Sequence, residues 1–194
     1  MMAQDGDHVA RGARRSSALL LVDMINTWEM QDGAALLRQS IRILPNLVRL
    51  ASSARRARAP VIYANDNFGR WQSNLPATIE QARQAGAASA RIVDALAPRA
   101  SDYVVLKPAH SAFFATPLEL LLQKLEVQRL VVAGVAGDQC VLATVGDALL
   151  RDYTAIVPRD AIATPTTART RAVLKHFREV MDVATPASRG LRWS

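Results

Sequence analysis

The chain has 194 residues, half of them hydrophobic and 21% charged, which suits one compact domain with a sizeable core and excludes the disordered class. Its single cysteine forms no internal disulfide and needs no oxidising compartment, and no apolar run nears the roughly 20 residues of a membrane span. The net charge is +7, but just three of the basic residues are lysine. The arginines are scattered, with no recognition-helix or aromatic stacking pattern, so a solvated surface is expected and nucleic acid is not.

Residues 1–16 carry arginines without an apolar stretch of secretory type. They read as a flexible N-terminal extension ahead of one domain, 17–194, on a cytoplasmic protein. The first apolar run, ALLLVDM (18–24), ends in an acid. A helical pattern follows over 34–58, with Pro45 marking a restart at a first helical turn. It closes on RRAR (55–58), where cations suit the helix dipole. A second run, PVIYAND (60–66), again ends in an acid. A weaker helix lies over 88–96, and YVVLK (103–107) ends in lysine.

The clearest helix start is TPLE (116–119). Thr116 suits the cap, Pro117 the first position, and Glu119 a capping box. RLVVAGVA (129–136) then leads into GDQCVLAT, with helices expected over 138–151 and 166–177. YTAIVP (153–158) and EVMDV (179–183) supply two shorter runs. Apolar runs alternating with helices predict an α/β fold: a doubly wound, mainly parallel six-stranded sheet, order 3-2-1-4-5-6, with helices on both faces. Ligands bind such sheets outside the carboxyl ends of the strands, where the connections part between the first and fourth.

That rule brings three chemistry-bearing residues to one rim: Asp23 after the first strand, Lys107 ending the third, and Cys140 after the fourth. A thiol attacks a carbonyl as thiolate. A helix N-terminus and the Lys107 cation both favour that form, so a lowered thiol pKa is expected. Asp23 is placed to accept the proton. Backbone N–H groups of the GVAG turn are placed to face a developing oxyanion.

Four stretches carry a resemblance to a known family: LLLVDMIN (19–26), PVIYANDNFGRW (60–71), VVLKPAHSAFFATPLELLL (104–122) and VVAGVAGDQCVLATVGDALLRDYTAIVPRDA (131–161). Together they make the chain resemble the isochorismatase-like cysteine hydrolases, which include nicotinamidases and N-carbamoylsarcosine amidases. The resemblance implies a catalytic triad of Asp23, Lys107 and Cys140. It implies a non-proline cis peptide between Val135 and Ala136, and an oxyanion hole from the backbone N–H groups of Ala136 and Cys140. It also implies a homo-oligomer, dimer or tetramer, acting on a small-molecule substrate.

Three departures narrow the reading. Nicotinamidases carry an Asp-x-His and a further His that bind a metal. The corresponding stretch here is Asp66-Asn67-Phe68, and the histidines, His8, His110 and His176, are scattered. No metal and no cofactor are expected, and His110 reads as a loop hydrogen-bonding residue. Gly137 stands where the family often has threonine. Cys140 argues against the vinyl-ether cleavage of true isochorismatases, which tend to lack it. Trp28, Asn67, Phe68, Trp71 and Phe113 follow strand ends and are expected to wall the pocket. The resulting expectation is a metal-independent amidase working through a cysteine thioester. A ligand-binding member that turns over nothing and a vinyl-ether hydrolase are the alternatives.

Overall fold

The computed structural model describes residues 16–67, 69 and 74–193. Five parallel strands, β1 (Ser16–Val22), β2 (Val61–Asp66), β3 (Tyr103–Lys107), β4 (Val127–Gly134) and β5 (Thr154–Ile156), form one sheet in the order β3-β2-β1-β4-β5. Among the described residues six α-helices surround it: α1 (Gly33–Arg56), α2 (Leu75–Gln84), α3 (Ala87–Leu96), α4 (Leu118–Lys124), α5 (Leu142–Leu150) and α6 (Thr167–Glu179). All of the proposed N-terminal extension but Ser16 lies outside the described residues, and Ser16 already belongs to β1.

The apolar runs are continuous because the sheet is covered on both faces. Alternate residues of each strand enter different cores. Ala18, Leu20 and Val22 join Ile62, Ala64 and Val132 on the face covered by α4, α5 and α6, where Leu118, Val145 and Phe177 are buried. Leu19 and Leu21 join Val61, Tyr63, Val131 and Ala133 on the face covered by α1 and α3, where Leu47, Leu50 and Ile92 are buried. Each fully buried leucine stabilises the fold by about 1.5–3 kcal/mol relative to exposure.

Three local expectations are corrected. The sixth run is no strand: its first residue, Glu179, ends α6, and the sheet is extended there by a single parallel bridge, Ile156 to Ala184. α1 does not restart at Pro45 but runs unbroken for 24 residues. An internal proline costs about 3 kcal/mol, and burial of Leu36, Leu44, Leu47, Leu50 and Ala54 on the sheet offsets it. At α4 no capping box forms. Thr116 Oγ1 accepts from Leu118 N and donates to Ala112 O, while Glu119 pairs with Arg151 at 3.0 Å.

Candidate active site

The strand register sets the site. Val22 aligns with Ala64 on one side and Gly134 on the other, and Asp66 aligns with Lys107, so four carboxyl ends meet near one level. Asp23 leaves β1 in the left-handed region, with φ 50°, which aspartate tolerates better than most residues. Its N–H donates to Ala64 O at 2.9 Å, and its Oδ1 accepts from Asp66 N at 2.7 Å. The carboxylate is thus clamped across the end of β2.

Lys107 sits two strands away, about 10 Å at ordinary strand spacing. Its long side chain spans that gap fully buried, and Nζ stands 2.8 Å from Asp23 Oδ2. Nζ also lies 3.4 Å from Asp66 Oδ2, 3.1 Å from Ala109 O and 3.5 Å from Cys140 Sγ.

Cys140 arrives through a tight turn. Gly134 has φ 116°, and a Cβ there would lie 2.2 Å from Val22 O, so β4 approaches β1 this closely only as glycine. Val135 N donates to Val22 O, the Val135–Ala136 peptide is cis, and Gly137 N donates to Ala163 O at 2.7 Å. A single π-helical turn, Gly137–Val141, then carries Cys140 into α5. At Gly137 a Cβ would meet Ile162 Cδ1 and Thr164 Cγ2 at 3.2 Å each. Thr164 therefore occupies the room that a side chain at 137 would need.

The electrostatics differ from the expectation for the thiol. Burial, then the Asp23 carboxylate, push the Cys140 thiol up to about 12, and Lys107 only partly opposes them. Burial raises the Asp23 carboxyl too, against the pull of Lys107. Burial pulls Lys107 down, but Asp23, Cys140 and Asp66 outweigh it and raise the ammonium. The sequence shows the helix start and the lysine but not the desolvation, and desolvation dominates. Burial thus favours the protonated form of both the thiol and the acid, while the three neighbouring groups favour the charged form of the ammonium.

Above these groups opens a cavity of about 430 Å³. Asp23, Ala136 and Cys140 line it with Asn26, Asp66, His110 and Gln139, and Met30, Leu36 and Pro165 add apolar wall. The expected aromatic wall is not what the described residues supply. Trp28 is buried in the α1/α3 core, its Nε1 donating to Ser89 Oγ at 3.1 Å. Phe113 packs in the opposite core, 5.9 Å from the Tyr153 ring, with Arg151 stacked over it at 5.0 Å. Asn67 is buried, with Oδ1 accepting from Gly69 N. Phe68 and Trp71 lie outside the described residues. Strand-end position alone does not distinguish a side chain aimed at the rim from one folded back into a core.

Among the wall residues missed in the sequence are the charged Asp32 and Arg169. Arg169 Nε stands 2.5 Å from Asp138 Oδ2, and its Nη1 3.6 Å from Asp32 Oδ2. Arg169 lies in the first turn of α6, capped by Thr166. A cation there opposes the helix dipole, and that was the available signal: such an arginine needs acidic partners from elsewhere. His110 is also better placed than a plain loop residue, with Nδ1 at 3.5 Å from Cys140 Sγ. Among the described residues no group of three His, Cys, Asp or Glu is arranged to hold a metal ion. Asp66, first residue of the stretch compared with the nicotinamidase ligands, faces the Lys107 ammonium.

Fold and site together define a doubly wound α/β protein that joins an acid, an amine and a thiol at the carboxyl edge of a parallel sheet. Residues 17–187 match the isochorismatase domain model, and the chain belongs to the isochorismatase family. It is 39% identical over 151 residues to the uncharacterized isochorismatase family protein YaaI of Bacillus subtilis, covering 78% of this chain and 82% of that one. It is 31% identical over 174 residues to the ureidoacrylate amidohydrolase RutB of Serratia proteamaculans, covering 77% and 70%. The crystal structure of N-carbamoylsarcosine amidase from Thermoplasma acidophilum superposes with a TM-score of 0.69 at 25% identity, over 91% of this chain and 99% of that one.

Proposed function

We propose that the protein is a cysteine amidase that hydrolyses a small amide or carbamoyl substrate through a thioester on Cys140, with no metal step. The observation that carries this reading is the junction of Asp23, Lys107 and Cys140 on one cavity wall, with Lys107 Nζ 2.8 Å from the acid and 3.5 Å from the thiol. The relatives named as N-carbamoylsarcosine amidase and ureidoacrylate amidohydrolase support the C–N bond as target. A cavity of about 430 Å³ is at the small end of ligand pockets.

Because the thiol is held protonated, the nucleophile forms only as Asp23 takes its proton. Sγ attacks the carbonyl carbon, and the oxyanion is met by the backbone N–H groups of Ala136 and Cys140. The C–N bond then breaks, and Asp23 returns the proton to the departing nitrogen. Lys107 keeps its charge throughout, holding Asp23 in place and stabilising the transient thiolate. Water cleaves the thioester to free acid and thiol.

The test is ammonia release from a panel of small primary amides and N-carbamoyl compounds. Release by the wild type and its loss in Cys140→Ala is expected; release undiminished in Cys140→Ala overturns the reading. A second reading is favoured by one observation, the thiol pushed up to about 12. Such a site also suits a ligand-binding protein that turns nothing over. No release from any compound, with saturable binding of one, is its signature.

A further inference from the structure

We propose that Asp66 is a positioning residue of this reaction, the counter-charge that holds Lys107 as a fixed ammonium while Asp23 carries the thiol's proton. The inference rests on the cysteine amidase reading above. In that reaction Cys140 gives its proton to Asp23, and the carboxylate that stands 2.8 Å from Nζ becomes a neutral acid. Sγ then bonds to the carbonyl carbon, and sulfur carries no charge either. From then until Asp23 returns the proton to the departing nitrogen, neither Asp23 nor Cys140 offers the buried ammonium a negative charge. A buried ammonium without a counter-charge tends to shed its proton. Nζ stands 3.5 Å from Sγ, so a proton shed there before attack would quench the thiolate.

The fold places Asp66 to fill that gap. It ends β2 and pairs in register with Lys107, the last residue of β3, so adjoining strands present both side chains at one level of the rim. Its Oδ2 lies 3.4 Å from Nζ. Its N–H donates to Asp23 Oδ1 at 2.7 Å, which ties its position to that of the acid. The groups facing Nζ come from four segments: Asp23 after β1, Asp66 on β2, Ala109 O after β3 and Cys140 after β4. Among the described residues, Asp66 is the one carboxylate besides Asp23 in contact with Nζ. His110 faces the sulfur rather than the ammonium.

The two acids differ in their contact with water. The Asp66 side chain is 29% exposed and lines the cavity, whereas that of Asp23 is 7% exposed. A carboxylate in contact with water loses little solvation as an ion, while burial favours the neutral form of Asp23. The enclosed acid is thus suited to exchange the proton, and the wetter one to supply a standing charge. Against the pull of burial, Asp23, Cys140 and Asp66 all raise the ammonium.

The experiment reads the ammonium itself. The chain has three lysines, Lys107, Lys124 and Lys175, so protein labelled with carbon-13 at lysine Cε gives one signal for each, and Lys107→Met assigns the one of interest. Asp23→Asn stands for the protonated acid, neutral at 23 and of the same shape. Adding Asp66→Asn to it should lower the Lys107 midpoint by about one to three pH units, the usual effect of a contacting opposite charge. The exposed Lys124 and Lys175 should titrate as before. Asp66→Glu in the same background should restore most of the shift, which a merely loosened fold would not allow. Equal midpoints in Asp23→Asn and Asp23→Asn/Asp66→Asn overturn the proposal. If the double variant does not fold, Lys107→Met is added to it: recovery of the fold shows a stranded ammonium, as proposed, and no recovery overturns the proposal. The titration needs no substrate, so its failure is distinct from that of the ammonia assay. Equal midpoints overturn the role of Asp66 alone, and no release from any amide overturns the amidase reading, with the part of Asp66 in catalysis.

Discussion

Lys107 Nζ and Asp23 Oδ2 meet at 2.8 Å with side-chain exposures of 0% and 7%, so this ion pair is enclosed in the sheet rim rather than displayed on it. Both charges have left water, and each depends on the other for compensation. Breaking such a pair costs about 3–5 kcal/mol, because the survivor is left buried and uncompensated. Lys107→Met should therefore destabilise the fold by about that amount. The double variant Asp23→Asn/Lys107→Met should lose clearly less than the two single losses added together, since it strands no charge. Urea unfolding of the four proteins measures this. Additive losses would mean that the pair is not coupled in the folded chain.

The thiol and the acid should separate reactivity from turnover. Cys140 is held up to about 12 by burial and by Asp23, so alkylation by iodoacetamide at pH 7.5 should be slower than that of a free cysteine, whose pKa is roughly 8.5. Asp23→Asn removes the raising charge and leaves the Lys107 cation. Labelling should then accelerate by about tenfold for each unit by which the pKa falls, while amide turnover collapses for want of a base. Asparagine also tolerates the left-handed backbone at 23, so the fold should persist. Slower labelling in Asp23→Asn would show that the carboxylate is not what raises the thiol.

The same shift predicts how stability depends on pH. A thiol whose folded pKa, about 12, exceeds its unfolded pKa, roughly 8.5, keeps its proton in the folded chain where the unfolded chain releases it. Its contribution is complete below about pH 8.5 and is lost progressively as pH rises toward the folded value. Tyr63, also raised to about 12 by burial, starts from near 10, so the interval from pH 8 to 10 isolates the thiol. Over it the wild type should lose about 2 kcal/mol more than Cys140→Ala. Equal losses in chemical denaturation at the two pH values would contradict the shift.

The strands were legible where physics leaves a continuous apolar run. β1, β2 and β4 are buried on both faces, and the register of the sheet brings Asp23 after β1, Lys107 at the end of β3 and Cys140 after β4 to one rim. α2 was not legible, because it buries only Thr78 and Ala82 and so shows no apolar stripe. Glu179–Val183 looked like a strand because composition does not show that α6 consumes its first residue. In the site, the residue types gave the acid, amine and thiol. The desolvation that reverses the thiol shift depends on the full packing around it. The cavity wall escaped for a similar reason: Asp32 and Arg169 come from segments more than a hundred residues apart and are joined only by the closed fold.

Gly137 offers a last check on how tightly the thiol's turn is packed. A Cβ at 137 would stand 3.2 Å from both Ile162 Cδ1 and Thr164 Cγ2. Neither neighbour gives easily. Ile162 is 1% exposed and Thr164 is fully buried, and the Thr164 hydroxyl is fixed by Thr166 O at 2.7 Å and Thr170 Oγ1 at 2.9 Å. Gly137→Ala should thus cost about 1–3 kcal/mol through overpacking, and Gly137→Thr more. Thr164→Ser keeps the hydroxyl bonds and removes the obstructing methyl. Combined with Gly137→Ala it should recover part of the loss, although Thr164→Ser alone is destabilising. Thermal unfolding of the two single variants and the pair decides. If Thr164→Ser worsens Gly137→Ala by its full single-variant cost, the Thr164 methyl is not the obstacle, and the glycine is required for the path of the turn itself.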